Sequence, residues 1–298
     1  MKKNSIILVI LSVVFSLGTT QAQSLLDSLE KEMPKDMSYT AATFKTTRIS
    51  IGHSVETRKK GTMEVSAFSS FWNIPNADIQ SFVADKVNTR FGIDYAFSDR
   101  FTFGAGASTW DGILDAFGKY RLMRQGGEHN NFLNITLLQT LSYRTKKIGY
   151  YSQFDDFSDK AATTSQVLIA RKFNPKLSLQ IAPTFVHRSG SGFDIDPNNQ
   201  FALGFGGRYK VGQHVSIVSE YYYVANELES TDTYGAFALG VNWEMSDLML
   251  QFNFTNARNL VDDMFITQTT NNFNFNDGNF HFGFKATYII HFKDNSID

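Results

Sequence analysis

The chain has 298 residues and a formal net charge of −1, with 28 Phe, 12 Tyr and 3 Trp but only 19% charged residues, 5 Pro and no Cys. The lack of Cys excludes disulfides, thiolate metal sites, a Cys nucleophile and the lipid-modified N-terminal Cys of a lipoprotein. Near-neutrality excludes the broad basic field that nucleic-acid binding needs, and an aromatic-rich, Pro-poor composition suits strands better than helices.

Met1 to Ala22 reads as a cleaved secretory leader. Lys2 and Lys3 precede an apolar run from Ile6 to Leu17, and small residues follow at Gly18 to Ala22. The run is shorter than the ~20 residues a spanning helix requires, and no longer apolar run follows it. The exported product is therefore expected either to be soluble outside the inner membrane or to cross a membrane with strands. Gln23 to Lys60 is too polar to span. Leu25, Leu26, Leu29 and Met33 suggest a short amphipathic helix within it. Phe44 to Glu56 reads either as a plug, whose Arg48, His53 and Glu56 would meet charges on a lumen wall, or more simply as a periplasmic tail or an additional edge strand.

From Gly61 to Phe292 apolar and polar residues alternate in stretches close to the ~9–11 residues of a tilted transmembrane strand. The clearest is Asn88 to Phe97, with Phe91, Ile93, Tyr95 and Phe97 on one face and Arg90, Gly92, Asp94 and Ala96 on the other. Arg100 to Thr109, Leu133 to Arg144, Leu177 to Val186, Phe201 to Tyr209, His214 to Tyr223, Phe237 to Glu244, Leu248 to Thr255 and Phe280 to Phe292 behave alike. Less regular stretches at 61–72, 113–124 and 162–173 bring the number to twelve. Short links (98–100, 125–130, 174–176, 210–213, 245–247) alternate with long ones (73–87, 145–161, 187–199, 225–232, 257–278), and only 110–112 breaks the rule. A soluble sandwich has no reason to sort its connections this way. An up-and-down barrel with periplasmic termini does. The apolar face also carries Tyr95, Tyr143, Tyr209, Tyr221, Tyr223, Trp243 and Tyr288 near strand ends, as interfacial aromatic girdles would require. The predicted fold is an all-β, antiparallel, twelve-stranded transmembrane barrel over residues 61–292, followed by a tail at 293–298. Its last strand ends in an aromatic residue, Phe292, as does the signal read by barrel-assembly machinery.

Three blocks resemble a family of gram-negative outer-membrane β-barrels of unknown function: Phe44 to Arg48 with Gly52 to Thr57 and Lys59 to Glu64, then Asp94 to Gly104, then Phe117 to Gln125. The resemblance is strongest over 44–125, and Ile51 and Ser69 to Trp72 depart from the family pattern. It implies a barrel in the outer membrane and brings no activity with it.

In the predicted register the charges facing the lumen are Glu64, Arg90, Asp94, Asp115, Lys119, Arg121, Arg144, Arg208, Glu220 and Lys285. They would either line a narrow pore for small solutes, passive or gated, or pair with one another and seal the interior of a structural or surface-interaction barrel. An envelope hydrolase is the third reading, with His187, Ser189 and Ser191 at a rim but no orienting acid fixed beside them. Asp194, Asp196 and Asn198 open like a calcium loop, yet Asn199 and Phe205 stand where Gly and Glu are needed. No cofactor or metal motif and no catalytic set is assigned. The expected partners are outer-membrane lipid, lipopolysaccharide over the acidic long loops, and the assembly machinery; nucleic acid is not among them, and the oligomeric state is open.

Overall fold

The computed structural model describes residues 42–73, 84–110, 112–127, 130–146, 157–189, 195–272, 274 and 280–292. The secretory leader, the amphipathic stretch with Leu25 to Met33, Ser191 and Asp194 lie outside the described residues. The strands are β1 (Thr62–Trp72), β2 (Lys86–Ala96), β3 (Phe101–Ser108), β4 (Ile113–Met123), β5 (Asn134–Arg144), β6 (Ala161–Lys172), β7 (Leu177–Arg188), β8 (Asn199–Lys210), β9 (Val215–Val224), β10 (Phe237–Met245), β11 (Leu248–Thr255) and β12 (His281–His291). Each pairs antiparallel with its sequence neighbours, and β12 returns to β1, from Thr62↔His291 to Phe71↔Phe282, so the sheet closes. Closure leaves no row of unpaired peptide groups, which is the condition for strands to stand in hydrocarbon. Two short helices interrupt the long connections: α1 (Phe157–Lys160) and α2 (Asp262–Thr267).

One mouth of the barrel carries the start of β1, the end of β12 and the short links; we call it the near mouth. The far mouth carries the long connections. The two faces of each strand differ as the alternation requires. In β2, Phe91 and Ile93 are more than half exposed, whereas Arg90 and Asn88 are buried. Tyr209, Trp243 and Tyr288 stand exposed toward the near mouth, and Tyr221 and Tyr223 toward the far one, which sets two aromatic belts where an interface needs them. A polar pair does occur on the outer face: Ser165 donates to Gln139 at 2.6 Å. Beside it Pro183, lacking an N–H, opens a gap in the β6–β7 ladder between Gln166↔Thr184 and Ile169↔Ile181.

Two boundaries differ from the alternation. β7 runs on through Arg188 instead of stopping at Val186, because Arg188 remains on the buried face and is held there. The link at 110–112 stays short because Thr109 and Trp110 turn directly back onto Asn88 and Thr89. Phe91 lies near mid-strand and Phe101 at the near rim, so Phe91→Arg is expected to destabilise the barrel in lipid vesicles by about 2–4 kcal/mol and Phe101→Arg by about 0–1 kcal/mol. Denaturant titration of vesicle-folded protein reads the difference; equal costs would contradict a lipid-facing Phe91.

Candidate functional site: the lumen and its plug

Residues 42–60 form no strand of the wall. They enter the lumen from the near mouth and return to it, so neither a tail outside the barrel nor an additional edge strand describes them. Arg48 and His53 make an antiparallel bridge. Ile49 N donates to Gly52 O at 2.9 Å and Ser54 N to Thr47 O at 3.0 Å, which closes a tight loop at 49–52. A segment with so little regular structure leaves most of its peptide groups unpaired, and in an enclosed space each needs a partner. The inward side chains of the wall supply them.

Glu220 of β9 accepts the N–H groups of Ile51 at 2.7 Å and Gly52 at 3.1 Å. Lys119 of β4, fully buried, donates to the carbonyls of Thr47 at 2.6 Å and Ser54 at 2.9 Å. An anion thus holds donors at the tip of the loop and a cation the acceptors that flank it. Gln180 takes Val55 N at 2.7 Å and gives to His53 O at 2.8 Å. Gln251 reaches Ile49 O at 3.0 Å, and Asn253 reaches Ser50 Oγ at 2.9 Å. Position 52 must be glycine: a Cβ there would lie 2.2 Å from Tyr222 Oη. At the near mouth Arg121 binds Glu56 at 2.9 Å, and Glu244 binds both Lys45 at 3.2 Å and Arg208 at 3.1 Å.

The remaining inward charges are held in several ways. Arg90 grips Asp115 through two bonds of 2.9 and 2.5 Å. Glu64 and Asp94 stand directly opposite across the β1–β2 ladder, an arrangement that costs stability unless compensated. Glu64 is engaged by Arg58 and Thr47, and Lys285 attracts both carboxylates. Of the ten wall charges read from the sequence, five (Glu64, Lys119, Arg121, Arg208 and Glu220) are tied to the plug or to residues beside it and Arg90 and Asp115 to each other. Among the described residues Asp94 and Lys285 act through charge alone, and Arg144 meets only the Met264 sulfur, at 3.5 Å.

The sequence reading did not single out a second plug. The long connection between β11 and β12 folds back into the far half of the lumen, with all six residues of α2 buried. Arg188 holds it: its guanidinium donates to Asp263 O and Thr267 Oγ1, both at 2.7 Å, and lies 3.4 Å from the Asp263 carboxylate, which Ser142 also binds at 2.8 Å. The two plugs meet. Asp262 lies 3.3 Å from His53 Nε2 and 3.7 Å from Arg48 Nη1. Ile51 packs with Tyr222, Leu260, Phe265 and Ile266, while Phe44, Ile49 and Val55 pack on Phe117, Leu138, Leu168 and Val218. Burial and the neighbouring Arg48 push the His53 imidazole well below its usual value, with Asp262 offsetting only part of this, so it sits neutral. Burial alone would raise the Asp262 carboxyl, but His53 and Arg48 outweigh it and hold the group well below the carboxylate range.

Two of the rim residues of the hydrolase reading lie among the described residues. His187 faces outward from the lumen and bonds Asn199 at 2.7 Å, and Ser189 is exposed. Asp196 serves the loops instead, accepting from Glu229 N, Ser230 N and Ser230 Oγ at 3.0, 2.8 and 2.6 Å. Among the described residues there is no group of three or more His, Asp or Glu placed to hold a metal.

No curated protein matches the chain. Solved structures similar to it include the KdgM porin (9% identity, TM-score 0.48, 76% of this chain and 99% of that one) and the NanC porin (7%, 0.48, 78% and 100%). A third is the COG4313 outer membrane channel from Pseudomonas putida F1 (16%, 0.45, 79% and 98%). The family model described as "Membrane bound beta barrel domain (DUF5777)" matches residues 44–290, which takes in the plug, the wall and the second plug together. The chain belongs to this family of membrane-bound β-barrel domains.

Proposed function

We propose that the protein is a narrow gated channel for small solutes in a gram-negative outer membrane, closed in this structure, with the near mouth in the periplasm. The observation that carries this reading is the chemistry of the plug–wall contact. The segment 47–55 is held chiefly by hydrogen bonds between its backbone and Ser50 on one side and the side chains of Glu220, Lys119, Gln180, Gln251 and Asn253 on the other, and water can replace each such bond once the plug withdraws. The wall it leaves behind carries polar and charged side chains from β4, β7, β9 and β11, beside an apolar strip of Phe117, Leu138, Leu168 and Val218. Both ends of the plug emerge at the same mouth, so withdrawal needs no strand to break. In this state the solute path is blocked, and conduction requires the plug to move.

A sealed structural barrel is the second reading, favoured by the apolar contacts of Phe44, Ile49, Ile51 and Val55 inside the lumen. Single-channel recording of the full chain in planar bilayers separates the two. Glu220→Ala leaves two buried N–H groups without an acceptor and should weaken docking by about 2 kcal/mol, roughly 30-fold in the docked-to-undocked ratio. Open probability should rise accordingly; a correctly folded variant that stays silent would sink the channel.

Acidity should act in the same direction. When the plug withdraws, His53 and Asp262 regain ordinary values, so the undocked state binds more protons in acid than the docked one. Docking is fully favoured above about pH 6.5, and His53 weakens it by up to about tenfold for each pH unit below that. Asp262 adds its own loss only below about pH 4. Open probability measured from pH 7 to pH 5 should climb in the native chain and stay flatter in His53→Gln; a native profile that falls on acidification would contradict this arrangement.

A further inference from the structure

At the far mouth, between the ends of β5, β6 and β7, α1 and α2, lies a cavity of about 60 Å³. That is room for about four water molecules, or for the head of a carboxylate or phosphate. Its lining is polar and includes three cations, Arg144, Lys160 and Arg188, against two carboxylates, Asp159 and Asp263. Asp263 is already engaged by Ser142 and Arg188. Arg144 is in a different position. A guanidinium presents five donors in a rigid fork suited to oxyanions, yet among the described residues its side chain has no carboxylate partner and donates only to the Met264 sulfur at 3.5 Å, a weak acceptor. An under-used guanidinium thus faces a partly open cavity that the Arg188 guanidinium also lines.

We infer that this cavity is an oxyanion site, in which Arg144, with Arg188 and Lys160 beside it, takes the carboxylate or phosphate group of a solute arriving at the far mouth. The inference rests on the channel reading for the source of the ligand, but the site stands or falls by itself. It also bears on gating. Arg188 grips α2 through Asp263, and the adjacent Asp262 touches Arg48 and His53 of the first plug. An oxyanion seated in the cavity shares Arg188 with Asp263 and loosens the hold on α2, so solute at the far mouth favours opening.

The test is calorimetric titration of the full chain, folded in detergent, with inorganic phosphate and separately with acetate. The native protein should bind at least one of the two saturably; phosphate alone or acetate alone identifies which oxyanion the site prefers. Arg144→Gln should weaken binding at least tenfold, whereas Lys176→Gln, on the exposed near-mouth link between β6 and β7, should leave it unchanged. If Arg144→Gln fails to fold, as judged by heat-dependent gel mobility, Arg144→Lys keeps the charge without the fork and should bind with intermediate affinity. Absence of saturable binding, or equal binding by the native protein and the Arg144 variants, overturns the site. Binding in a barrel silent in bilayers would sink the channel and leave the site; conductance without binding would do the reverse.

Discussion

Every peptide group of a strand that stands in hydrocarbon must be paired within the protein, and the rest of this structure follows from that demand. The demand is met by the closure of β12 on β1. Once the sheet is closed it has an inside, and the residues on that inside are largely polar, with Phe117, Leu138, Leu168 and Val218 among the exceptions. The interior must then be filled with water or with protein. Here, among the described residues, it is filled with protein from both ends: the segment 42–60 from the near mouth and the β11–β12 connection with α2 from the far one.

Filling a polar lumen with irregular chain creates a second problem of the same kind. The loop at 49–52 and the residues flanking it have peptide groups that no regular element satisfies, and the wall answers with side chains matched in sign, Glu220 for the donors of Ile51 and Gly52 and Lys119 for the carbonyls of Thr47 and Ser54. Buried charges are tolerated when paired and hydrogen-bonded, which Arg90 with Asp115 and Arg188 with Asp263 satisfy. Apolar contacts add to the hold, since Ile51 and Phe265 share one cluster with Tyr222. The lumen is therefore neither the dry core of a soluble domain nor an open pore. Polar bonds hold the plugs, and they can be exchanged for water without dismantling the wall.

The two plugs are joined at Asp262. This carboxylate comes from the far connection, and its neighbours Arg48 and His53 come from the near segment. The two pieces also share a buried apolar cluster, with Ile51 from the near segment and Phe265 and Ile266 from the far one. Their junction is thus one shared charge cluster and one apolar cluster inside the closed sheet.

Much of this was legible in the chain. Alternation of period two marked out twelve strands and sorted each residue to a face, because side chains in a strand point alternately to opposite sides whatever the partner strand is. That is why Arg90, Lys119 and Glu220 could be placed on the inner wall and Phe91 on the outer one. Arg188 and Asp263 escaped notice because each sits past the last alternating residue or within a long connection, where no periodic rule applies. What each inner side chain binds was decided only by the tertiary structure. Gln180 meets Val55 and Glu220 meets Ile51 across 125 and 169 positions, and such pairs exist only after the sheet has closed and enclosed residues 42–60. Local pattern therefore determined the wall, and closure alone chose the contents.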